Sequence, residues 1–179
     1  MKKGTKDSID ILKIIEIILL FIVIFLVIVL IVLEVMHNEY AIYERIYDYD
    51  AYRVIENDNS ITAILYHKDG DIIKTEEIYY FENDKIIKNE VKYYFERISI
   101  AKEEYNTTAK MIQDNLNSGS NEQIYLLSKD ENAVVYTYLN PQNSFVEDEN
   151  KEVGNNENIE TSILNNIDEK YNEYYTKLQ

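Results

Sequence analysis

The chain has 179 residues, with 33 acidic against 18 basic side chains, a formal net charge of −15, and neither cysteine nor tryptophan. A chain this acidic disfavours nucleic acid and anionic headgroups as ligands. The missing cysteines exclude disulfides, thiolate metal sites, a thiol nucleophile and lipoprotein-type acylation.

The first 12 residues form a short lead expected to stay in the cytoplasm. Residues 17–33 are then an unbroken run of aliphatic and phenylalanine side chains. At ~1.5 Å per residue the run covers about 26 Å, and Ile14 and Ile15 bring it close to the ~30 Å hydrocarbon core. A single segment in lipid satisfies its backbone only as a helix, so residues 13–36 are expected to be a transmembrane helix. The core is longer than a signal-peptide h-region, and residues 34–38 offer no small-residue cleavage site, so an uncleaved signal anchor is the better reading. Lys2, Lys3, Lys6 and Lys13 precede the span, and only Arg45 and Arg53 follow it closely. That asymmetry predicts a cytoplasmic N-terminus and an exported remainder. Gly, Ala, Ser and Thr are absent from residues 17–33, so no small-residue packing seam is present and the span reads as an anchor. Glu16 pairs with Lys13 across one helix face more readily than it serves as an intramembrane carboxylate.

Tyr40, Tyr43 and Tyr47 fall at helical spacing, which predicts a helical extension over residues 37–50 with its tyrosines in the membrane interface. Residues 51–139 read as one α+β domain. Strand patterns cover residues 52–56, 61–67, 72–82, 86–96, 123–128 and 133–139, punctuated by Asn57-Asp58-Asn59, Lys68-Asp69-Gly70-Asp71 and Asn83-Asp84. Ile-Ile-Lys and Tyr-Tyr-Phe-Glu, which open and close residues 72–82, recur fourteen residues later in residues 86–96. Two copies do not make a solenoid; they make two neighbouring long strands. An odd-numbered loop at Asn83-Asp84 is expected to put Ile73, Tyr79 and Phe81 on one face with Ile87, Tyr93 and Phe95. Ile98, Ala101, Tyr105, Thr108, Ala109, Ile112 and Leu116 form an apolar helical stripe, with Ser99 as its cap. Residues 140–157 are an acidic linker carrying the single proline. Residues 158–179 follow as an amphipathic helix whose stripe is Ile159, Ile163, Ile167, Tyr171, Tyr174 and Leu178. The expected fold class is α+β: a single membrane helix followed by an exported antiparallel β-meander of five to six strands. Two amphipathic helices pack side by side on one face.

Catalytic signatures are missing from the sequence. The four glycines are isolated at 4, 70, 119 and 154, so no phosphate loop or nucleophile elbow is present. His37 and His67 have no metal-ligand neighbours at helical spacing, and Asp48/Asp50 and Asp69/Asp71 do not follow a calcium-loop pattern. No catalytic residue, cofactor or metal is expected. Asn106-Thr107-Thr108 is a glycosylation sequon, but in mid-helix it reads as coincidence. Thr75, Glu77 and Asn89 stand out as polar positions on the covered face and form a candidate pocket, although such residues often sit at a sheet margin. The C-terminal stripe is a candidate partner-binding helix that is expected to dock on the domain's own sheet. Heavy use of Ile, Asn, Lys, Glu and Tyr suggests an A+T-rich bacterial coding genome. The expected role is a membrane-anchored interaction module with a protein partner and no nucleic acid, an accessory or structural subunit of an envelope complex. An extracytoplasmic small-ligand sensor signalling through a membrane partner is the alternative, and a hydrolase ranks third.

Overall fold

The computed structural model describes residues 4–118, 126–139 and 158–179. It divides into two units, one ending at Ala41 and the other spanning Ile42–Gln179. The first is a single helix, α1 (Gly4–Glu39). Within it Lys13–Glu39 holds an 18-residue window with a mean hydropathy of 3.7 and no buried residue. This helix is long and apolar enough to cross a membrane.

The helix stops at Glu39 and does not continue to Tyr47 as the tyrosine spacing suggests. A spacing of four fits an extended chain as well as a helix, and here tertiary contacts select the extended form. In the second unit Ile42 bridges Arg97, and the Tyr43 amide donates to the Glu96 carbonyl at 2.7 Å. Arg45 donates to the carbonyls of His67 (2.6 Å), Ile72 and Gly70. Tyr43, Arg45 and Tyr47 are half-buried, while Ile42, Glu44, Ile46 and Asp48 point out. Tyr47 packs edge-on against Tyr66.

Seven strands form one sheet: β1 (Ala51–Asn57), β2 (Ser60–Tyr66), β3 (Ile72–Glu82), β4 (Lys85–Phe95), β5 (Leu126–Asp130), β6 (Ala133–Leu139) and β7 (Thr176–Lys177). Their order is β5-β6-β4-β3-β2-β1-β7. All neighbours are antiparallel except β7, which runs parallel to β1. The expected antiparallel meander of five to six strands is therefore a mixed sheet of seven. The difference comes from the C-terminus. Helix α3 (Ile159–Tyr171) is capped by the Asn158 side chain and ends eight residues short of the chain's last residue. Beyond it the Thr176 amide donates to Asp50 and the Leu178 amide to Tyr52.

The ladder registers fix two faces. Tyr52, Leu65, Thr75, Tyr93 and Val134 lie in one cross-strand row, Val54, Ala63, Glu77, Val91 and Tyr136 in the next, and Ile61, Tyr79, Asn89 and Tyr138 in a third. Both helices pack on this face. Ile163, Ile167 and Tyr171 of α3 close a core with Tyr52, Ile61, Ala63, Leu65, Tyr79 and Phe81. Helix α2 (Ile98–Ser118) packs through Ala101 and Tyr105 against Phe95, Val134 and Tyr136. It begins at Ile98, with the Ala101 amide bonded to Arg97, so Ser99 lies inside the first turn and does not cap it. Of the C-terminal stripe, Tyr174 is 70% exposed in the turn after α3. Leu178 packs with Ala51, Ile64 and Tyr66 on the opposite face, because the chain crosses the sheet edge as β7. Residues 140–157, and the start of the fifth predicted strand at residues 123–125, lie outside the described residues.

The β3–β4 hairpin departs from the expected register in an informative way. Phe81 pairs with Ile86, and Asn83 and Asp84 sit at φ 51° and 57°, which is a two-residue turn of the mirror-image type that Asn and Asp tolerate. The odd-numbered loop is thus wrong. Between the bulges the shared odd-numbered face survives, because the ladder skips Ile87 between Lys88 and Ile86. At its two ends Ile86 and Ile72, not the expected Ile87 and Ile73, pack with Phe81 and Phe95. The extra residue of the β-bulge restores the parity that the turn shifts. A second irregularity skips Ile73, the residue that corresponds to Ile87 in the repeat. Ile73 and Ile87 are therefore the bulged positions of their strands.

The repeat also creates a local two-fold arrangement. Thr75 pairs with Tyr93 as Tyr79 pairs with Asn89, and Lys74 with Tyr94 as Tyr80 with Lys88. On the second face Lys74 bonds Glu76 at 2.8 Å, lies over the Tyr94 ring, and Tyr94 donates to Glu76. Lys88, Glu90 and Tyr80 repeat the same triad. The pseudo-axis passes between Glu77 and Val91, which are paired to each other.

Candidate functional site

The repeated segments are alike except at Thr75/Asn89, Glu77/Val91 and Ile78/Lys92. The first two pairs lie on the helix-covered face and contain all three residues of the sequence-predicted polar pocket. The structure brings Thr75, Glu77 and Asn89 onto one strip of that face. Thr75 and Asn89 are buried, at 5% and 7% exposure.

Helix α3 lies over β2 and α2 over β4–β6, so the strip over β3 and β4 runs between them. At its centre Glu77 accepts from the Tyr79 hydroxyl at 2.6 Å and from Lys170 Nζ at 3.0 and 3.2 Å. Burial pushes the Tyr171 hydroxyl far up, and the charge of Glu77 and a hydrogen bond to it add to that. Tyr79 is pushed up in the same way, first by burial and then by Glu77. On the α2 side Glu104 Oε1 accepts from Thr108 and Tyr136, both at 3.3 Å. Between the two carboxylates stands Tyr93, edge-on to Tyr136 with ring centroids 5.5 Å apart. Burial raises its pKa first, and Glu77 and Glu104 raise it further, although its hydroxyl bonds neither. Asn89 Oδ1 is buried without a hydrogen-bond partner. An orphaned buried acceptor costs about 1–3 kcal/mol, so its presence asks for a reason.

At one end of the strip Thr75 Oγ1 lies 2.7 Å from His67 Nε2, and the Tyr175 hydroxyl lies 3.2 Å from Nδ1. Burial lowers the His67 pKa; Asp50 pulls it up and Arg45 pushes it down again. Sequence reasoning missed this group, because Arg45, Asp50, His67 and Tyr175 come from four separate segments with no shared period. Glu104 was legible in principle, one helical turn before Thr108 on the apolar stripe. The Ile163, Ile167 and Tyr171 part of the candidate partner-binding stripe is buried against the sheet. An open depression lined by Arg45, Ile46, Tyr47, Asp48, Lys68 and Asp69 lies apart from the strip. Among the described residues no group of three His, Cys, Asp or Glu side chains is arranged to hold a metal. Comparison with models of protein families, with curated proteins and with solved structures finds no match.

Proposed function

We propose that this chain is a single-pass membrane protein whose α+β domain stands outside the cytoplasm and binds a protein partner, as an accessory or structural subunit of an envelope complex. The observation that carries the reading is α1, whose most apolar 18-residue window has a mean hydropathy of 3.7 and no buried residue. Exposed in water, a helix of this composition would aggregate; in lipid it is a stable anchor. The lysines before it support the cytoplasmic N-terminus of this reading. A reporter that works only outside the cytoplasm, fused after Gln179, is expected to be active, and the same reporter fused at Met1 to be silent. The reverse pattern refutes the orientation. Cross-linking in intact cells is expected to trap the chain with a second protein, and recovery of monomer alone speaks against the partner.

The second reading is an extracytoplasmic ligand sensor acting through a membrane partner. It is favoured by the polar strip, where a carboxylate, tyrosine rings and an unpaired amide oxygen meet on a face that is otherwise core.

A further inference from the structure

We propose that the second unit docks on the lipid surface through the segment joining α1 to β1, with the Ile42 and Ile46 side chains seated in the headgroup region. The proposal rests on the membrane-anchor reading above and adds a second lipid contact to it.

Outside α1, ten large hydrophobic side chains among the described residues are exposed, and four of them fall within residues 40–49. Ile42 and Ile46 are 63% and 67% exposed, more than any isoleucine of the apolar run 17–33. Single apolar residues on a surface are ordinary, but two on the same side of one short strap form a patch. The strap cannot turn them inward, because its other side is fixed to one end of the sheet. Ile42 bridges Arg97 and the Tyr43 amide bonds Glu96, just past β4. Arg45 engages three carbonyls in and beside the β2–β3 loop, and Tyr47 packs on Tyr66 at the end of β2. Alternate side chains of an extended chain point opposite ways. Holding Tyr43, Arg45 and Tyr47 against the domain therefore leaves Ile42, Glu44, Ile46 and Asp48 facing away from it. The tyrosine spacing puts Tyr43 and Tyr47 in the membrane interface; this register gives that place to Ile42 and Ile46 instead.

Chain length decides what covers them. Ile42 follows Glu39, the last residue of α1, by three residues, and Ile46 follows it by seven. A reach of at most ~3.6 Å per residue holds Ile42 within about 11 Å, and Ile46 within about 25 Å, of the end of the membrane helix. Lipid is thus the apolar phase already within reach of both side chains, and no partner has to be recruited to cover them. The interleaved charges set the depth. Glu44 and Asp48 face the same way as the isoleucines, and an ionised carboxylate is unfavourable in hydrocarbon. The strap therefore rests among the headgroups, where the carboxylates meet the ammonium groups of zwitterionic lipid while the isoleucines reach inward.

The chain has no tryptophan, so one introduced tryptophan is a unique fluorophore. The full chain in phosphatidylcholine vesicles carries it as Ile46→Trp, or as Ile87→Trp for control. Ile87 is 42% exposed and lies ~30 Å of strand rise from Glu96, towards the hairpin at the other end of β4. Lipids brominated near the headgroup end of the acyl chain are expected to quench Ile46→Trp about threefold more than Ile87→Trp, and more than lipids brominated near the methyl end do. Tryptophan itself seeks the interface. Tyr49→Trp therefore serves as a fixed reporter, read with both isoleucines present and with Ile42→Ser and Ile46→Ser together. The double substitution is expected to lower its quenching about twofold. All the substituted sites are exposed, so the domain keeps its fold, as unchanged tyrosine circular dichroism would confirm. A chain that floats with the vesicles but shows equal quenching at Ile46→Trp and Ile87→Trp overturns the docking. The anchor then stands, and the two isoleucines are free for a protein partner. Undiminished quenching in the double-serine chain also overturns it, because the tether alone then holds the strap. Stronger quenching from the methyl end does so as well, since the strap then continues the span. A chain that does not float removes the anchor and the docking together.

Discussion

Replacing Ile167 by alanine tests whether α3 belongs to its own domain or is held out for a partner. Ile167 is 1% exposed in the core formed with Tyr52, Ile61, Leu65 and Tyr79. The substitution removes three methylene-sized groups, worth about 2.4 kcal/mol in transfer. A partly collapsed cavity raises the cost to about 3–4 kcal/mol. For a domain of this size each kcal/mol moves the melting point by about 3–4 °C, so a fall of ~9–16 °C is expected. Sixteen of the 17 tyrosines lie in the second unit and none in α1, so the tyrosine near-ultraviolet circular dichroism of the full chain in detergent reports essentially the second unit. Thr161→Ala, on the exposed side of the same helix, should stay within ~0.5 kcal/mol of the parent. If Ile167→Ala melts with Thr161→Ala, α3 is undocked in solution and its stripe is free for a partner.

Three further predictions concern the site's surroundings and the hairpin. His67 has a lowered pKa in the folded state, so the folded chain binds fewer protons than the unfolded one. Its contribution to stability is complete above the unfolded value of about 6.5 and is lost as the pH falls from there to the folded value. His67→Gln should lack this loss, so the stability gap between parent and variant narrows below pH ~6.5; a constant gap refutes it. Asp84→Gly should raise stability by up to ~1 kcal/mol, because glycine adopts φ near 57° without a Cβ penalty, and a lower melting point would show that the Asp84 side chain matters more. Deleting Ile87 should cost less than about 1 kcal/mol, since the ladder already passes over it and its side chain is 42% exposed; failure of the deletion variant to fold refutes the bulge assignment.

The elements with long, clean periods were legible in the sequence. The apolar run gave α1, the stripe from Ile98 gave α2, and the repeat gave two adjacent long strands. Thr75, Glu77 and Asn89 were legible as one polar set because alternation puts them on one face. What was illegible came from contacts between distant segments. Four-residue tyrosine spacing is ambiguous between helix and strand, and the carbonyls of His67, Gly70 and Ile72 decide it by engaging Arg45. Strand β7 has two residues and no period of its own; it exists because β1 offers an edge. The bulge at Ile87 was hidden by its sequence likeness to the rest of the repeat.

The near-identity of β3 and β4 bears on what happens when two copies of this chain meet. Each strand carries the side chains that its neighbour recognises, so each could in principle recognise a copy of itself and exchange partners between molecules. Set β4 against a second β4 about the same axis, and Lys88 faces Tyr94, Glu90 faces Lys92 and Val91 faces Val91, all acceptable neighbours. Set β3 against a second β3, and Glu77 faces Glu77, two like charges directly opposed on a covered face. Like-with-like pairing of β3 is therefore disfavoured at this position, whereas β4 offers no such opposition. Glu77 thereby opposes the pairing of β3 with its own copy, and Glu77→Val would remove that opposition.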